Sequence, residues 1–131
     1  QIKKIDRFIE RRRALVSTYD RAFQALEMIQ PTQLAGRRQS SHHIYVIRID
    51  FNQLGISRHK LMKQLADHGI GTQVHYIPVP LQPFYESRGY RITDYPHTDE
   101  YYQTALSIPL FYGLSDEDQN RAIDSLTEIL E

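Results

Sequence analysis

The chain contains no cysteine. That excludes a disulfide framework, a thiolate nucleophile and any thiolate-bound metal, and it suits a cytoplasmic setting. An excess of one charge sign is lacking too. Sixteen basic residues face sixteen acidic ones, so no overall field draws the chain to nucleic acid or to an anionic membrane. No long apolar run and no signal-peptide pattern is present, so nothing reads as a membrane span or an export signal. The six glycines are scattered and none precedes a Walker-type lysine, which leaves no phosphate-cradling loop. An initiator methionine is also missing. The sequence opens at Gln1 directly inside a helical pattern, and the expectation is a piece of a longer polypeptide.

What is there suffices for one domain with a real core: 131 residues, 40% hydrophobic and 24% charged. Ile2, Ile5, Ile9, Leu15, Tyr19, Phe23, Leu26 and Ile29 recur at helical spacing, and Pro31 closes the pattern. The expected helix has about 28 residues and a length of about 42 Å. A compact domain of this size is about 36 Å across, so the helix is expected to project toward a second domain. A polar linker from Thr32 to Ser41 follows. His43 to Ile49 alternates and is β-branched, which predicts a strand with His43 half-buried on the face of Tyr45 and Ile47. Ser57 caps a helix carrying Leu61, Met62 and Leu65 and ended by Gly69. Ile70 to His75 reads as a second strand, Pro96 as the first turn of another helix, and Ala105 to Pro109 as a third strand. Ser115 with Asp118 opens a final helix that buries Ala122, Ile123, Leu126, Ile129 and Leu130. The order gives a small α/β domain, helices against a short sheet.

Most candidate chemistry falls to simpler readings. His42, His43, His59, His68, His75 and His97 lack the paired spacing of a zinc site. Arg11-Arg12-Arg13 with Arg37-Arg38 would suit an RNA-binding module, but the neighbouring acids favour a solvated or interdomain helix face. Ser107, His75 and Asp94 make a hydrolase set only on paper, because Ser107 lies in no nucleophile elbow. Lys3, Lys4, Lys60 and Lys63 all fall on amphipathic helices, where solvent is the expected neighbour. By itself the chain shows no catalytic apparatus.

One stretch stands out: Val74-His75-Tyr76-Ile77-Pro78-Val79-Pro80-Leu81-Gln82-Pro83-Phe84-Tyr85. Its three prolines fix the backbone and remove amide donors, giving a stiff loop that holds imidazole, phenol and amide groups outward. The stretch Gly69-Ile70-Gly71-Thr72-Gln73-Val74-His75-Tyr76-Ile77-Pro78 resembles the DegT/DnrJ/StrS-type nucleotide-sugar aminotransferases. The likeness continues through Leu81-Gln82-Pro83-Phe84-Tyr85, Ala105-Leu106-Ser107-Ile108-Pro109-Leu110 and Leu114-Ser115-Asp116-Glu117. It includes Ile5 to Arg13 with Tyr19, and Ser41 to Arg48, and so covers nearly the whole chain in order.

The resemblance implies the small C-terminal domain of a fold-type I PLP enzyme, a long N-terminal helix plus a short sheet covered by helices. Residues 1–131 would be that single domain, with 1–30 the interdomain helix. The large domain, of roughly 230–280 residues, would hold PLP through its own lysine outside this chain, so the fragment is expected to be inactive. Within the family the chain looks most like the branch that aminates carbon 4 of UDP-4-keto-6-deoxy-N-acetylhexosamines toward pseudaminic-acid-type sugars, with glutamate as donor. A homodimer is implied. His75 and Tyr76 would face the UDP-sugar, with Gln82 and Tyr85 on the loop that closes over it. The family often carries a second histidine where this chain has Pro80, which bears on the choice of sugar. The alternative is a stand-alone small-molecule-binding or regulatory α/β domain.

Overall fold

A computed structural model describes residues 2–31 and 40–131. The expected linker and the pair Arg37-Arg38 lie outside the described residues, apart from Ser40 and Ser41 at the linker's end.

A 3-10 turn over Ile2–Lys4 leads into α1, Ile5–Phe23, whose inner face buries Leu15, Val16, Tyr19 and Phe23. The helix stops well short of Gln30. Two tight turns follow, with Leu26 N donating to Phe23 O (3.2 Å) and Ile29 N to Leu26 O (3.0 Å). They deliver Ile29–Pro31 as strand β1. Ile29 satisfies helical spacing, yet it is buried at 4% exposure opposite Ile49 in the sheet. Sheet pairing overrides local periodicity here. Pro31 ends an edge strand, where its missing amide costs no ladder bond. With 19 residues, α1 is about 28 Å long rather than the expected length of about 42 Å, and its buried face begins only at Leu15.

The sheet is antiparallel with order β1-β2-β3. Strand β2, Tyr45–Ile49, buries Tyr45, Ile47 and Ile49 in strict alternation. It pairs with β3, Ala105–Ile108, in the register Tyr45↔Ile108 and Ile47↔Leu106. These residues present one face to α1 and to α6, Asp116–Leu130, and the core closes with Leu61, Leu65, Ala122 and Leu126. Two expectations are corrected. His43 precedes the strand and is exposed, its carbonyl accepting from Arg12 (2.9 Å). Ile70 to His75 is not a strand. Gln73 alone bridges to Ser107, and the next amide, of Val74, bonds the Gln73 side chain instead of a neighbouring strand (3.0 Å).

Ser57 caps α3, Arg58–Asp67, as expected, and Asp50 caps a short α2, Phe51–Leu54, that the sequence reading did not include. After α3, Gly69 takes φ +76°, a left-handed conformation that suits glycine. The helical turn α4 covers Pro83–Glu86, and α5, Pro96–Thr104, starts on its proline. Ser115 Oγ accepts from Asp118 N (3.0 Å) and donates to Asp118 Oδ2 (2.7 Å), opening α6. Ser115→Ala is expected to cost about 1 kcal/mol, seen as a lower urea midpoint with an unchanged slope.

The basic run on α1 is spent on structure. Arg11 donates to Leu114 O and pairs with Asp116 (2.8 Å), and Arg12 donates to the carbonyls of His42 and His43. These contacts tie α1 to the start of α6 and to the approach to β2.

Candidate functional site

The site grows from β3. Ser107 is buried, and its backbone is committed on both sides: Ser107 N donates to Gln73 O (2.8 Å), and Gln73 N donates to Ser107 O (3.0 Å). This clamp fixes the chain leaving α3 and carries His75 over Ser107. The His75 Nδ1 to Ser107 Oγ distance is 2.8 Å. His75 is half-buried, and its ring meets that of Tyr76 edge-on with centroids 4.8 Å apart. The peptide bond between these two residues is cis. Tyr76 stands 76% exposed, and Ile77 and Val79 beside it are more than half exposed.

Beyond Tyr76 the loop folds on itself. Pro78 is buried, a 3-10 turn covers Val79–Leu81, and α4 follows directly. Gln82 turns its amide back to Ile77 O at 3.5 Å, bracing the loop. Tyr85 belongs to a separate aromatic cluster, edge-on to Phe84 (5.2 Å) and to Tyr90 (5.8 Å), and Arg88 lies over the Phe84 ring at 3.8 Å. A cavity of about 240 Å³ opens at His75 and Ser107, walled by Ile44, Thr72, Gln73 and Leu110. The structure thus brings His75 and Tyr76 into ring contact and sets Gln82 and Tyr85 farther along the same loop. Tyr76, Gln82 and Tyr85 do not line the His75 cavity.

Sequence reasoning joined Ser107 to His75 only within a hydrolase set. The pair is real, but Asp94 sits exposed in the 3-10 turn Ile92–Asp94, and among the described residues no carboxylate bonds His75. A second feature was not foreseen. A groove of about 430 Å³ is lined by Glu27, Asp50, Arg48 and Glu100 among others. Arg48 is already engaged there by Glu100 (2.7 Å) and Thr104 (3.0 Å). Nearby, burial raises the Tyr101 phenol above its ordinary range, and the Arg48 charge opposes that shift. Among the described residues no three metal-ligating side chains converge, and no helix is long and apolar enough to cross a membrane.

The residues present do not fit a covalent anchor for PLP. All four lysines are exposed: Lys3 and Lys4 in the N-terminal turn, Lys60 and Lys63 on α3, where Lys63 pairs with Asp67 (2.7 Å). None is held in the desolvated pocket such a lysine needs.

A family model described as the DegT/DnrJ/EryC1/StrS aminotransferase family matches residues 1–127. The spore coat polysaccharide biosynthesis protein SpsC of Bacillus subtilis is 32% identical over 99% of this chain and 34% of its own length. The chain spans about a third of the length of the curated relatives it matches. Among solved structures, the putative sugar aminotransferase Spr1654 from Streptococcus pneumoniae superposes in its apo form with a TM-score of 0.86 at 31% identity, over 99% of this chain and 32% of that one. PMP and PLP forms of Spr1654 match as well. PseC of Helicobacter pylori, an aminotransferase involved in the biosynthesis of pseudoaminic acid, matches with a TM-score of 0.84 at 22% identity, over 99% of this chain and 34% of its own. At that identity it speaks for the fold alone.

Proposed function

The chain belongs to the DegT/DnrJ/EryC1/StrS aminotransferase family, and on that footing we propose that it is the small domain of a PLP-dependent nucleotide-sugar aminotransferase. The observation that carries the reading is the family match running through 127 of 131 residues. The PLP and PMP forms of Spr1654 are the two cofactor states between which an aminotransferase cycles, and they support PLP as the cofactor. Since no lysine here fits as its anchor, the cofactor chemistry is assigned to a large domain outside these residues. The chain by itself is then inactive.

What these residues contribute is binding. His75 and Tyr76 lie on the substrate side of the pocket, with Gln82 stiffening the loop behind them and Tyr85 on its outer part. The exposed surface of Tyr76, Ile77 and Val79 is then the part of the loop that packs against the large domain or the ligand. The substrate in this proposal is a UDP-4-keto-6-deoxy-N-acetylhexosamine, glutamate gives the amino group, and the enzyme is a cytoplasmic homodimer. SpsC, named for spore coat polysaccharide, supports a role in bacterial surface-sugar synthesis. The pseudaminic-acid branch is the finest form of the proposal.

The test is an amination assay on the complete polypeptide that contains these residues, given the UDP-4-keto sugar and glutamate. One 4-amino sugar formed for each 2-oxoglutarate is the expected result. Glutamate consumption with other keto sugars but not this one would overturn the substrate assignment and leave the aminotransferase. No transamination with any nucleotide sugar would favour a binding or regulatory domain.

A further inference from the structure

Ser107 has one hydroxyl hydrogen to place, and among the described residues one acceptor stands within reach of it. The residue is 5% exposed. Among the described residues its Oγ has a single hydrogen-bond partner, Nδ1 of His75 at 2.8 Å. Two arrangements of a neutral imidazole are compatible with that distance. If Nδ1 carried the proton, it would donate to Oγ and leave the hydroxyl hydrogen with no acceptor among the described residues. If Nδ1 is bare, the hydroxyl donates to it and both groups are satisfied. Burial therefore selects the second.

The consequence lies at the other ring nitrogen. In the selected tautomer Nε2 carries the proton. Nε2 has no partner among the described residues, and the one buried side-chain polar atom left unpaired among them is Gln64 Oε1. Nε2 is therefore reachable from outside. Its N–H is a donor held ready by a ring that Ser107 fixes on one side and Tyr76 meets edge-on.

We propose that Ser107 is a positioning residue that locks His75 in the Nε2–H form, so that the ring presents a hydrogen-bond donor to an oxygen of the sugar nucleotide. The tautomer follows from this chain alone, and its role toward the ligand rests on the function proposed above. A serine in the middle of a buried strand is otherwise a poor choice beside Leu106 and Ile108. Here its backbone holds the loop through Gln73 and its side chain sets the donor that the loop displays. The hydroxyl acts through His75 and does not meet the ligand.

The test is nitrogen-15 spectroscopy of the His75 ring in the 131-residue chain at about pH 9, above the ordinary histidine range near 6.5. The expected spectrum has Nδ1 at the unprotonated limit and Nε2 as a protonated nitrogen. In Ser107→Ala both resonances are expected to move toward the average of two tautomers, and Ser107→Thr, which keeps the hydroxyl, to restore the wild-type pattern. A protonated Nδ1 in the wild-type chain overturns the inference whether or not the variants fold. So does a folded Ser107→Ala with unchanged ring nitrogens. Because no ligand enters the measurement, its failure is distinct from a failure of the proposed function, which the kinetics of His75 variants test separately.

Discussion

Tyr19→Ala is expected to cost about 3–5 kcal/mol of folding free energy, a large part of what a domain of ordinary stability has to lose. The ring is completely buried, stacked on Phe23 (centroids 5.6 Å apart) and on Tyr45 (4.9 Å). Its hydroxyl donates to Pro109 O at 2.9 Å, joining α1 to the end of β3. Truncation opens a cavity where α1 meets the sheet and strands a carbonyl. Urea denaturation followed by circular dichroism measures the loss. A cost below 1 kcal/mol would mean that the helix is not seated as described. Tyr19→Phe keeps the ring and separates the second effect, which depends on pH. Burial raises the folded-state phenol pKa above its ordinary value of 10.0. The unfolded chain then loses this proton first, so the contribution is intact below pH 10.0 and fades as pH rises above it. Tyr19→Phe is expected to flatten that alkaline loss, and stability curves that stay parallel for the two proteins above pH 10.0 would contradict the burial.

His75→Ala in the complete enzyme is the second large effect. A hydrogen bond to a charged or strongly polar ligand oxygen is worth about 1.5–3 kcal/mol, so kcat/KM for the keto sugar is expected to fall about 10- to 150-fold. The half-reaction with glutamate is expected to change far less, because the loop is proposed to face the sugar nucleotide. The two half-reactions are separated in single-turnover experiments. An equal loss in both would assign His75 to shared architecture, and no loss in either would remove it from the site. Tyr76→Phe is the natural companion: its ring is exposed, so the variant should fold normally and report only on the phenol.

The residues legible in the sequence are those whose neighbours are local. Ser57 and Ser115 announce helix starts because the amides they cap lie three residues away. Pro96 announces another because its missing amide is harmless only there. Tyr45, Ile47 and Ile49 reveal their strand because one face is buried and the other is not. The errors share a different cause. Leu26 and Ile29 fit a helix and a turn-to-strand equally well, and pairing with Ile49, distant in sequence, decides between them. Ile70 to His75 has strand composition, but Gln73 spends its side chain on the following amide and the ladder ends after one bridge. Ser107 and His75, 32 residues apart, come together through the backbone clamp at Gln73, and no spacing rule encodes such a contact. The family was readable from motifs spread along the chain.

The most direct measurement is the visible absorption spectrum of the complete polypeptide containing these residues, purified and titrated with glutamate. The account predicts a yellow protein whose band glutamate converts to the pyridoxamine form. A protein that stays colourless after added PLP would contradict it.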